Sequence, residues 1–205
     1  MADYKKPDHW QLKARQEGYP ARSVYKLKEI DEKYGLIKPG RAAFRVLDLG
    51  AAPGSWSLYV LRKINGISMV SADLSPLSRQ YDGGLFDREN FHFIQGDITD
   101  PVVRESITSH GPYNLIISDA APPTTGNRFI DTSRSLELAE AVIAYAEDAL
   151  VVNGNLAVKL FQGGDTSQLL NRMRTLFKSA KSYKPIACRN DSFEMYYLGI
   201  GKLSK

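Results

Sequence analysis

An apolar run followed by a turn of small residues lies at positions 45–56, which read Arg45-Val46-Leu47-Asp48-Leu49-Gly50-Ala51-Ala52-Pro53-Gly54-Ser55-Trp56. Small residues let a ligand approach the backbone, and the free N–H groups of the helix that starts here face that ligand. A second apolar run ends at Asp73, and its distance in sequence from Gly50 suits a carboxylate that binds ribose hydroxyls in a βαβ unit. The pattern predicts a nucleoside site.

The composition is that of a soluble globular protein. The 205 residues are 43% hydrophobic and 24% charged, which suits a single domain over residues 1–205. No apolar run approaches the ~20 residues of a membrane span, and the polar N-terminus has no signal-peptide core. Cys188, the single cysteine, forbids an internal disulfide, and three scattered histidines make no zinc set. We expect a cytoplasmic monomer without a metal.

The net charge of +4 is unevenly distributed. Residues 1–41 contain ten Lys or Arg against six Asp or Glu, whereas residues 42–205 contain seventeen of each. A second basic block, residues 166–190, contains six Lys or Arg and no acid. Basic clusters on an otherwise balanced domain indicate a polyanion as partner, although an ordinary solvated surface has the same composition. We predict a basic helical arm over residues 1–41, packed on a core of residues 42–205.

Predicted strands and helices alternate along the core. The arm is helical over residues 8–34, with a break near Gly18-Tyr19-Pro20 and an N-cap at Ser23. The predicted strands are residues 44–49, 68–73, 91–95, 113–118, 155–161, 183–188 and 195–201. The predicted helices of the core are residues 56–64, 101–109, 131–150 and 168–179. The alternation predicts a largely parallel sheet with helices on both faces, and the short connection between the last two strands makes that pair antiparallel.

Charged residues mark the strand ends, where ligands of such sheets bind. The first four predicted strands are completed by Asp48, Asp73, Asp97 and Asp119. The fifth strand contains Lys159 inside an apolar run, so this lysine must reach the strand end or be paired. The last strand begins beside another acid, Glu194.

The class of nucleoside follows from two missing motifs. The turn after the first strand lacks the Gly-x-Gly-x-x-Gly of dinucleotide sites, and no Gly-Lys-Ser/Thr phosphate loop follows it. A nucleoside without a pyrophosphate fits better, and S-adenosylmethionine is the common one. Two residues have alternative interpretations. Trp56 either lines the ligand site or packs in the core, and Lys26 is either functional or a solvated helix lysine. For Asp48 we favour a structural role in fixing the turn.

Five segments resemble the FtsJ/RrmJ family of ribose 2′-O-methyltransferases, and together they extend from about residue 19 to residue 202. They are Arg22-Ser23-Val24-Tyr25-Lys26-Leu27-Lys28-Glu29-Ile30, Asp48-Leu49-Gly50-Ala51-Ala52-Pro53-Gly54-Ser55-Trp56, Ser118-Asp119-Ala120-Ala121-Pro122, Val158-Lys159-Leu160-Phe161-Gln162-Gly163 and Ser192-Phe193-Glu194-Met195-Tyr196. Each motif alone has modest specificity, whereas the five in this order are highly specific.

The resemblance implies a fold and a site. The fold is a Rossmann-like methyltransferase sheet of seven strands in the order 3-2-1-4-5-7-6, with the last strand antiparallel. The family's Lys-Asp-Lys-Glu tetrad falls on Lys26, Asp119, Lys159 and Glu194. The S-adenosylmethionine contacts fall on Gly50, Ala51, Pro53, Gly54, Trp56, Asp73, Leu74, Asp97, Ile98 and Asp119. Ser55 stands where many members have Gly, and Ala120-Ala121 where others have Met-Ala.

The resemblance also implies a function. We expect an S-adenosylmethionine-dependent RNA methyltransferase that methylates a ribose 2′-hydroxyl, of a uridine in large-subunit ribosomal RNA. A tRNA anticodon loop is the alternative substrate, and a non-catalytic RNA-binding module for ribosome assembly is the alternative from another class. Lys159 has two open roles: it accepts the hydroxyl proton if its pKa is lowered, or it orients the oxygen as a cation.

Overall fold

The computed structural model describes residues 8–38, 44–163, 166–189 and 192–204. Its helices are α1 (His9–Gln16), α2 (Val24–Tyr34), α3 (Ser55–Lys63), α4 (Pro101–Ser109), α5 (Arg128–Ala149) and α6 (Thr166–Leu176). Its strands are β1 (Arg45–Leu49), β2 (Ser68–Asp73), β3 (Phe91–Gln95), β4 (Tyr113–Ser118), β5 (Leu150–Phe161), β6 (Phe177–Tyr183) and β7 (Glu194–Lys202). A short 3-10 turn at Leu85–Asp87 lies in the segment between β2 and β3, which is otherwise irregular as predicted.

The seven strands form one sheet in the order β3-β2-β1-β4-β5-β7-β6, which confirms the predicted topology. Strands β1 to β5 pair in parallel, and β7 is antiparallel to both β5 and β6. The chain winds outward from β1 to β3 and then returns to place β4 on the other side of β1. The order therefore reverses between β1 and β4, and a ligand cleft is expected beyond the carboxyl ends of these strands.

Helices cover both faces of the sheet, as predicted. Alternate residues of a strand point to opposite faces, so Val46 joins one buried cluster with residues of α2 and α3, while Leu47 joins another with residues of α5. Among the residues described, no helix has the length and apolar character needed to cross a membrane.

The N-terminal helices support one side of this fold. Asp8 caps α1 by accepting a hydrogen bond from the Gln11 N–H, and Gly35 ends α2 in the left-handed conformation. The predicted break between the two helices is confirmed. The predicted cap at Ser23 is wrong in one respect: α2 begins after it, but the Ser23 side chain makes no capping bond. Parts of the predicted arm, residues 1–7 and 39–41, lie outside the described residues.

The last third of the chain differs from the sequence prediction. The basic helix ends at Leu176, and the sixth strand is Phe177–Tyr183, where we expected a helix to residue 179 and a strand at 183–188. Pairing with β7 overrides the helical pattern, because it buries Phe177 in the core. Pro185 has no N–H to donate to a strand ladder, so residues 184–188 form a turn instead.

The junction between α5 and β5 also differs from the prediction. Strand β5 starts at Leu150, five residues before the predicted start at 155. Its pairing with β4 shifts register between Tyr113 and Leu115, and Asn153 adopts a positive φ of 65° there. Because of this irregularity, residues 150–154 lack the regular alternation from which a strand is predicted.

Candidate active site

The four residues of the predicted tetrad meet in the structure. The Lys159 Nζ lies 3.0 Å from Asp119 Oδ1 and also donates to the Asp119 carbonyl oxygen at 2.5 Å. The Lys26 Nζ donates to Glu194 Oε2 at 2.7 Å and lies 4.0 Å from Asp119 Oδ1. Two ammonium groups and two carboxylates therefore form one connected, largely buried cluster.

Sheet register explains how residues so distant in sequence come together. Val158 pairs with Ser118 across β4 and β5, so the next residues along the two strands, Lys159 and Asp119, are neighbours. Strand β7 runs back along β5 and brings Glu194 beside Phe161. Lys26 reaches the cluster from α2, which packs on the same face of the sheet.

The electrostatics of the cluster favour the charged forms of Lys26 and Asp119. Burial disfavours the charged form of Lys26, but the carboxylates of Asp119 and Glu194 outweigh it, and the pKa of Lys26 is raised. Burial likewise opposes ionisation of Asp119, but Lys159 and Lys26 together with a hydrogen bond from Tyr196 lower the pKa of this carboxyl. Lys26 is therefore a cation and Asp119 an anion at neutral pH.

Tyr196 is a member of the cluster that the sequence analysis missed. Its hydroxyl donates to Asp119 Oδ1 at 2.6 Å, and burial raises its pKa well above the ordinary range. The signal was present in the sequence, because residues i and i+2 of a strand share a face and Tyr196 is two residues after Glu194. The ring lies 5.8 Å from that of Trp56, centre to centre.

Trp56 lies beneath the cluster. It is 2% exposed, and its indole N–H donates to the Ser23 carbonyl at 2.8 Å. Trp56 is thus placed in the core, the second of the two roles that the sequence left open, and it does not line the neighbouring cleft.

A cleft of about 390 Å³ lies beyond the carboxyl ends of the parallel strands, next to the cluster. The predicted cofactor and tetrad residues that line it are Gly50, Pro53, Asp73, Leu74, Asp97, Ile98, Asp119 and Lys159. Its other lining residues, which the sequence analysis did not select, are Ser23, Ala52, Gly96, Ala120, Ala121 and Leu138. Two predicted contacts, Ala51 and Gly54, belong to the same turn but do not line the cleft.

The turn after β1 requires its first glycine for packing. Gly50 has a φ of 73°, and a Cβ there would lie 2.5 Å from the backbone of Ala120. Only glycine permits this approach between the loops that follow β1 and β4. Asp73 secures the turn from the other side, because its Oδ2 accepts from the Ala52 N–H at 2.9 Å.

Two carboxylates face the cleft with acceptor capacity to spare. Asp73 also accepts from the Ser75 N–H at 2.8 Å, and each of its oxygens has a further lone pair. Asp97 accepts from the backbone N–H and hydroxyl of Thr99, and these bonds lower the pKa of the Asp97 carboxyl. Both groups are suited to accept hydrogen bonds from ribose hydroxyls or an amine.

Asp48 has a different environment. It is fully buried below the turn and accepts a hydrogen bond from the Ser57 hydroxyl at 2.7 Å. Burial, with smaller contributions from Asp119 and Asp73, raises the pKa of Asp48 to about 7 despite that bond. Its position agrees with the structural role that the sequence favoured.

A second cleft, of about 440 Å³, opens on the other side of the cluster. Its lining residues are Ala21, Arg22, Ser23, Lys26, Thr124, Arg189, Ser192, Phe193 and Glu194. Asp119 and Lys159 face the first cleft, Lys26 and Glu194 face the second, and Ser23 lines both. The charged cluster thus lies at the junction of two adjoining clefts.

The fold and this site define an α/β protein with the methyltransferase architecture. A chain in the crystal structure of a fibrillarin/Nop5p complex has the same fold, with a TM-score of 0.57 and 16% identity over 87% of this chain and 82% of that one. A Plasmodium falciparum protein assigned as a ribosomal RNA methyltransferase matches more closely, with a TM-score of 0.74 and 27% identity over 91% of this chain and all of that one.

The sequence defines the family. The model of the FtsJ-like methyltransferase family matches residues 19–202, and the chain belongs to this family, which confirms the resemblance. A Treponema denticola protein named ribosomal RNA large subunit methyltransferase E is 48% identical, with 96% of each chain covered. A Borrelia garinii subsp. bavariensis protein of the same name is 45% identical, over 94% of this chain and 95% of that one.

Proposed function

We propose that this protein transfers a methyl group from S-adenosylmethionine to a ribose 2′-hydroxyl, that of a uridine in large-subunit ribosomal RNA, as a cytoplasmic monomer. The observation that carries the proposal is the charged cluster of Lys26, Asp119, Lys159 and Glu194 at the junction of two clefts. Methyl transfer needs two ligands in line, and positioning is a large part of its catalysis. The names of the Treponema and Borrelia relatives support large-subunit ribosomal RNA as the substrate.

The first cleft fits the proposed cofactor. Its charged lining residues are Asp73, Asp97 and Asp119, with Lys159 as the single cation, and that cation is paired with Asp119. An excess of carboxylates favours a cationic nucleoside and repels a pyrophosphate. Asp73 and Asp97 would accept hydrogen bonds from the ribose and the amino acid or base, and the apolar side chains of Leu74 and Ile98 would flank the adenine.

The cluster then has a defined task. When bound, S-adenosylmethionine supplies an electrophilic methyl group and leaves as S-adenosylhomocysteine, while the proton of the attacking 2′-hydroxyl passes to solvent water. Lys159, held by the carboxylate and carbonyl of Asp119, would orient the hydroxyl oxygen and stabilise the negative charge that develops on it. Lys26 and Glu194 would hold the ribose from the second cleft. In this arrangement Asp119 fixes Lys159 in place and Tyr196 fixes Asp119.

The decisive experiment removes the Lys159 ammonium. We expect Lys159→Met to lower the single-turnover rate at least about 100-fold, with cofactor affinity by calorimetry within a few-fold of the wild-type value. The assay measures transfer of a tritiated methyl group to large ribosomal subunits from a strain that lacks the gene. Arg88→Ala, which removes an exposed cation before β3, is the control and should retain full activity. A near-normal rate in Lys159→Met would refute the role of this lysine.

The same assay separates the alternative functions. Transfer to tRNA in place of large subunits would identify an anticodon-loop enzyme, and absence of transfer to either substrate would indicate a non-catalytic RNA-binding module. Mapping of ribose methylation in both RNAs from the deletion strain identifies the nucleotide.

A further inference from the structure

Phe193 is the one aromatic side chain among the described residues that line the second cleft. Its neighbours along that lining are mostly charged or polar, with Arg22, Lys26 and Glu194 among them. The ring is only partly buried and belongs to neither of the two apolar clusters of the core. Folding of the core alone therefore does not account for an aromatic ring at this position.

The ring is held firmly at its position in the cleft wall. Its centre lies 4.7 Å from that of Phe161 in an edge-to-face arrangement, and the Arg128 guanidinium carbon lies 5.5 Å from its centre. The backbone is fixed as well, because the Gln162 N–H donates to the Phe193 carbonyl at 2.7 Å. A rigidly held ring loses little conformational entropy when a flat ligand packs against it.

The place of the ring relative to the reacting group suggests its ligand. Phe193 directly precedes Glu194, whose carboxylate is bonded to Lys26 in the charged cluster. If the ribose of the substrate lies at the cluster, as the proposed function requires, its base extends into the cleft that Phe193 lines. Aromatic side chains are common stacking partners of unpaired bases in RNA recognition.

We propose that Phe193 is the stacking surface for the base of the nucleotide that is methylated. The proposal rests on the proposed function and deepens it: the target nucleotide enters the second cleft unpaired, turned out of any RNA helix. Arg189 also lines this cleft, and its positive charge favours a phosphate next to that nucleotide. Arg22 lines the cleft as well, but it is bonded to Asp8 and to the Ala187 carbonyl.

The first test compares side chains at position 193. Phe193→Leu keeps an apolar side chain but removes the π-face, and we expect the KM for hypomethylated large subunits to rise roughly tenfold or more. Phe193→Trp should restore most of the affinity, and cofactor affinity should stay within twofold in both variants. Phe129→Leu is the matched control, because Phe129 is 81% exposed on α5 and does not line the cleft. An equal rise in Phe129→Leu, or none in Phe193→Leu, would overturn the proposal.

The second test distinguishes stacking from a structural effect of the ring. After the methylated nucleotide is mapped, a large-subunit RNA is assembled by ligation with an abasic ribose at that position. The difference between wild type and Phe193→Leu should vanish on this RNA, because the base that the ring contacts is gone. A difference that persists on the abasic RNA would assign the ring a structural role and refute the proposal.

The two levels of the proposal fail in different ways. If the wild-type protein transfers no methyl group to large subunits or their RNA, the proposed function is wrong. If the wild type is active and Phe193→Leu behaves like it, only the stacking role is wrong.

Discussion

At the scale of single residues, Asp48 is a buried carboxyl below the turn that follows β1, and it does not line either cleft. The carboxyl is fully buried and accepts a hydrogen bond from the Ser57 hydroxyl. Its pKa of about 7 means that the folded protein keeps the proton over a pH range in which the unfolded chain has lost it. Stability must therefore depend on pH through this residue.

We predict that the free energy of unfolding falls as the pH rises, because Asp48 loses its stabilising proton. The unfolded carboxyl ionises near pH 4 and the folded one near pH 7, so the stabilising proton is present below this window and lost across it. The free energy of unfolding of the wild type, measured by urea titration, should fall between pH 5 and pH 7.5. Asp48→Asn should make this fall about 2 kcal/mol smaller, since each pH unit between the two pKa values is worth about 1.4 kcal/mol. Asp87→Asn, at an exposed carboxylate, is the control. Parallel pH profiles for wild type and Asp48→Asn would contradict the assignment.

At the scale of elements, the loop between β4 and α5 links the two clefts. Ala120 and Ala121 line the first cleft, and Thr124 lines the second. The buried carboxylate of Asp131 in α5 holds this loop, because it accepts hydrogen bonds from the N–H and hydroxyl of Thr125 and from the Gly126 N–H. One side chain thus holds part of the loop that lines both clefts.

Loss of this support should affect both ligands together. We expect Asp131→Ala to raise the KM for cofactor and for RNA several-fold each, because the Thr125 and Gly126 donors lose the acceptor that holds the loop. Hydrogen exchange of the amides of residues 120–127 should accelerate in the variant. Glu137→Gln, on the exposed side of the same helix, should change none of these quantities. A change confined to one ligand would show that the loop does not couple the clefts.

At the scale of the whole molecule, the sequence predicted those strands that consist of a short apolar run with an aspartate at or just after its end. Strands β1 to β4 are short apolar runs completed by Asp48, Asp73, Asp97 and Asp119, and each lies where expected. Strand β6 was missed because Phe177 and Lys178 continue a basic helical pattern, and only pairing with β7 makes them extended. A single sequence does not show such long-range pairing.

Some residues of the candidate site could likewise be predicted from local sequence patterns, and others could not. The residues of the first cleft follow strand ends in regular succession, so the pattern finds Asp73 and Asp97. Lys26 and Glu194 are 168 residues apart, and only the family resemblance brought them together. Tyr196 and Phe193 were missed because an aromatic residue at the start of a strand has an ordinary explanation in packing.

The distribution of charge over the surface predicts where RNA crosses the molecule. The N-terminal arm and the basic block at residues 166–190 are both candidates for the RNA-binding surface. In the block, Arg172 donates two hydrogen bonds to Glu147. In the arm, Arg22 is bonded to Asp8 and to the Ala187 carbonyl.

Two cations of α1 remain at the surface and are candidates to meet phosphates. Arg15 is exposed, and the Lys13 ammonium, 3.9 Å from Glu17 and near the rings of Trp10 and Tyr25, belongs to a side chain that is 41% exposed. From the charge of the arm we also expect Lys5 and Lys6 to meet phosphates, but both lie outside the described residues.

We expect the double variant Lys13→Gln/Arg15→Gln to weaken RNA binding and to lower the magnitude of the salt slope by about one to two, because each lost phosphate contact removes roughly 0.7–0.9. Filter binding of large-subunit RNA between 50 and about 200 mM salt measures the slope. The comparison variant is Arg172→Gln/Arg174→Gln. If that variant lowers the slope and the arm variant does not, the RNA path runs over α6 instead.

The place of β7 in the sheet has a consequence for how the protein is made. This strand follows β6 in the chain but lies between β5 and β6, so both neighbours present open edges until it inserts. The first cleft is built largely from residues up to Leu138, all synthesised before β7 leaves the ribosome. Most residues of the first cleft are therefore synthesised before Glu194, the member of the charged cluster that comes last in the chain. Insertion of β7 between β5 and β6 thus joins the two parts of the sheet and completes the charged cluster in one step.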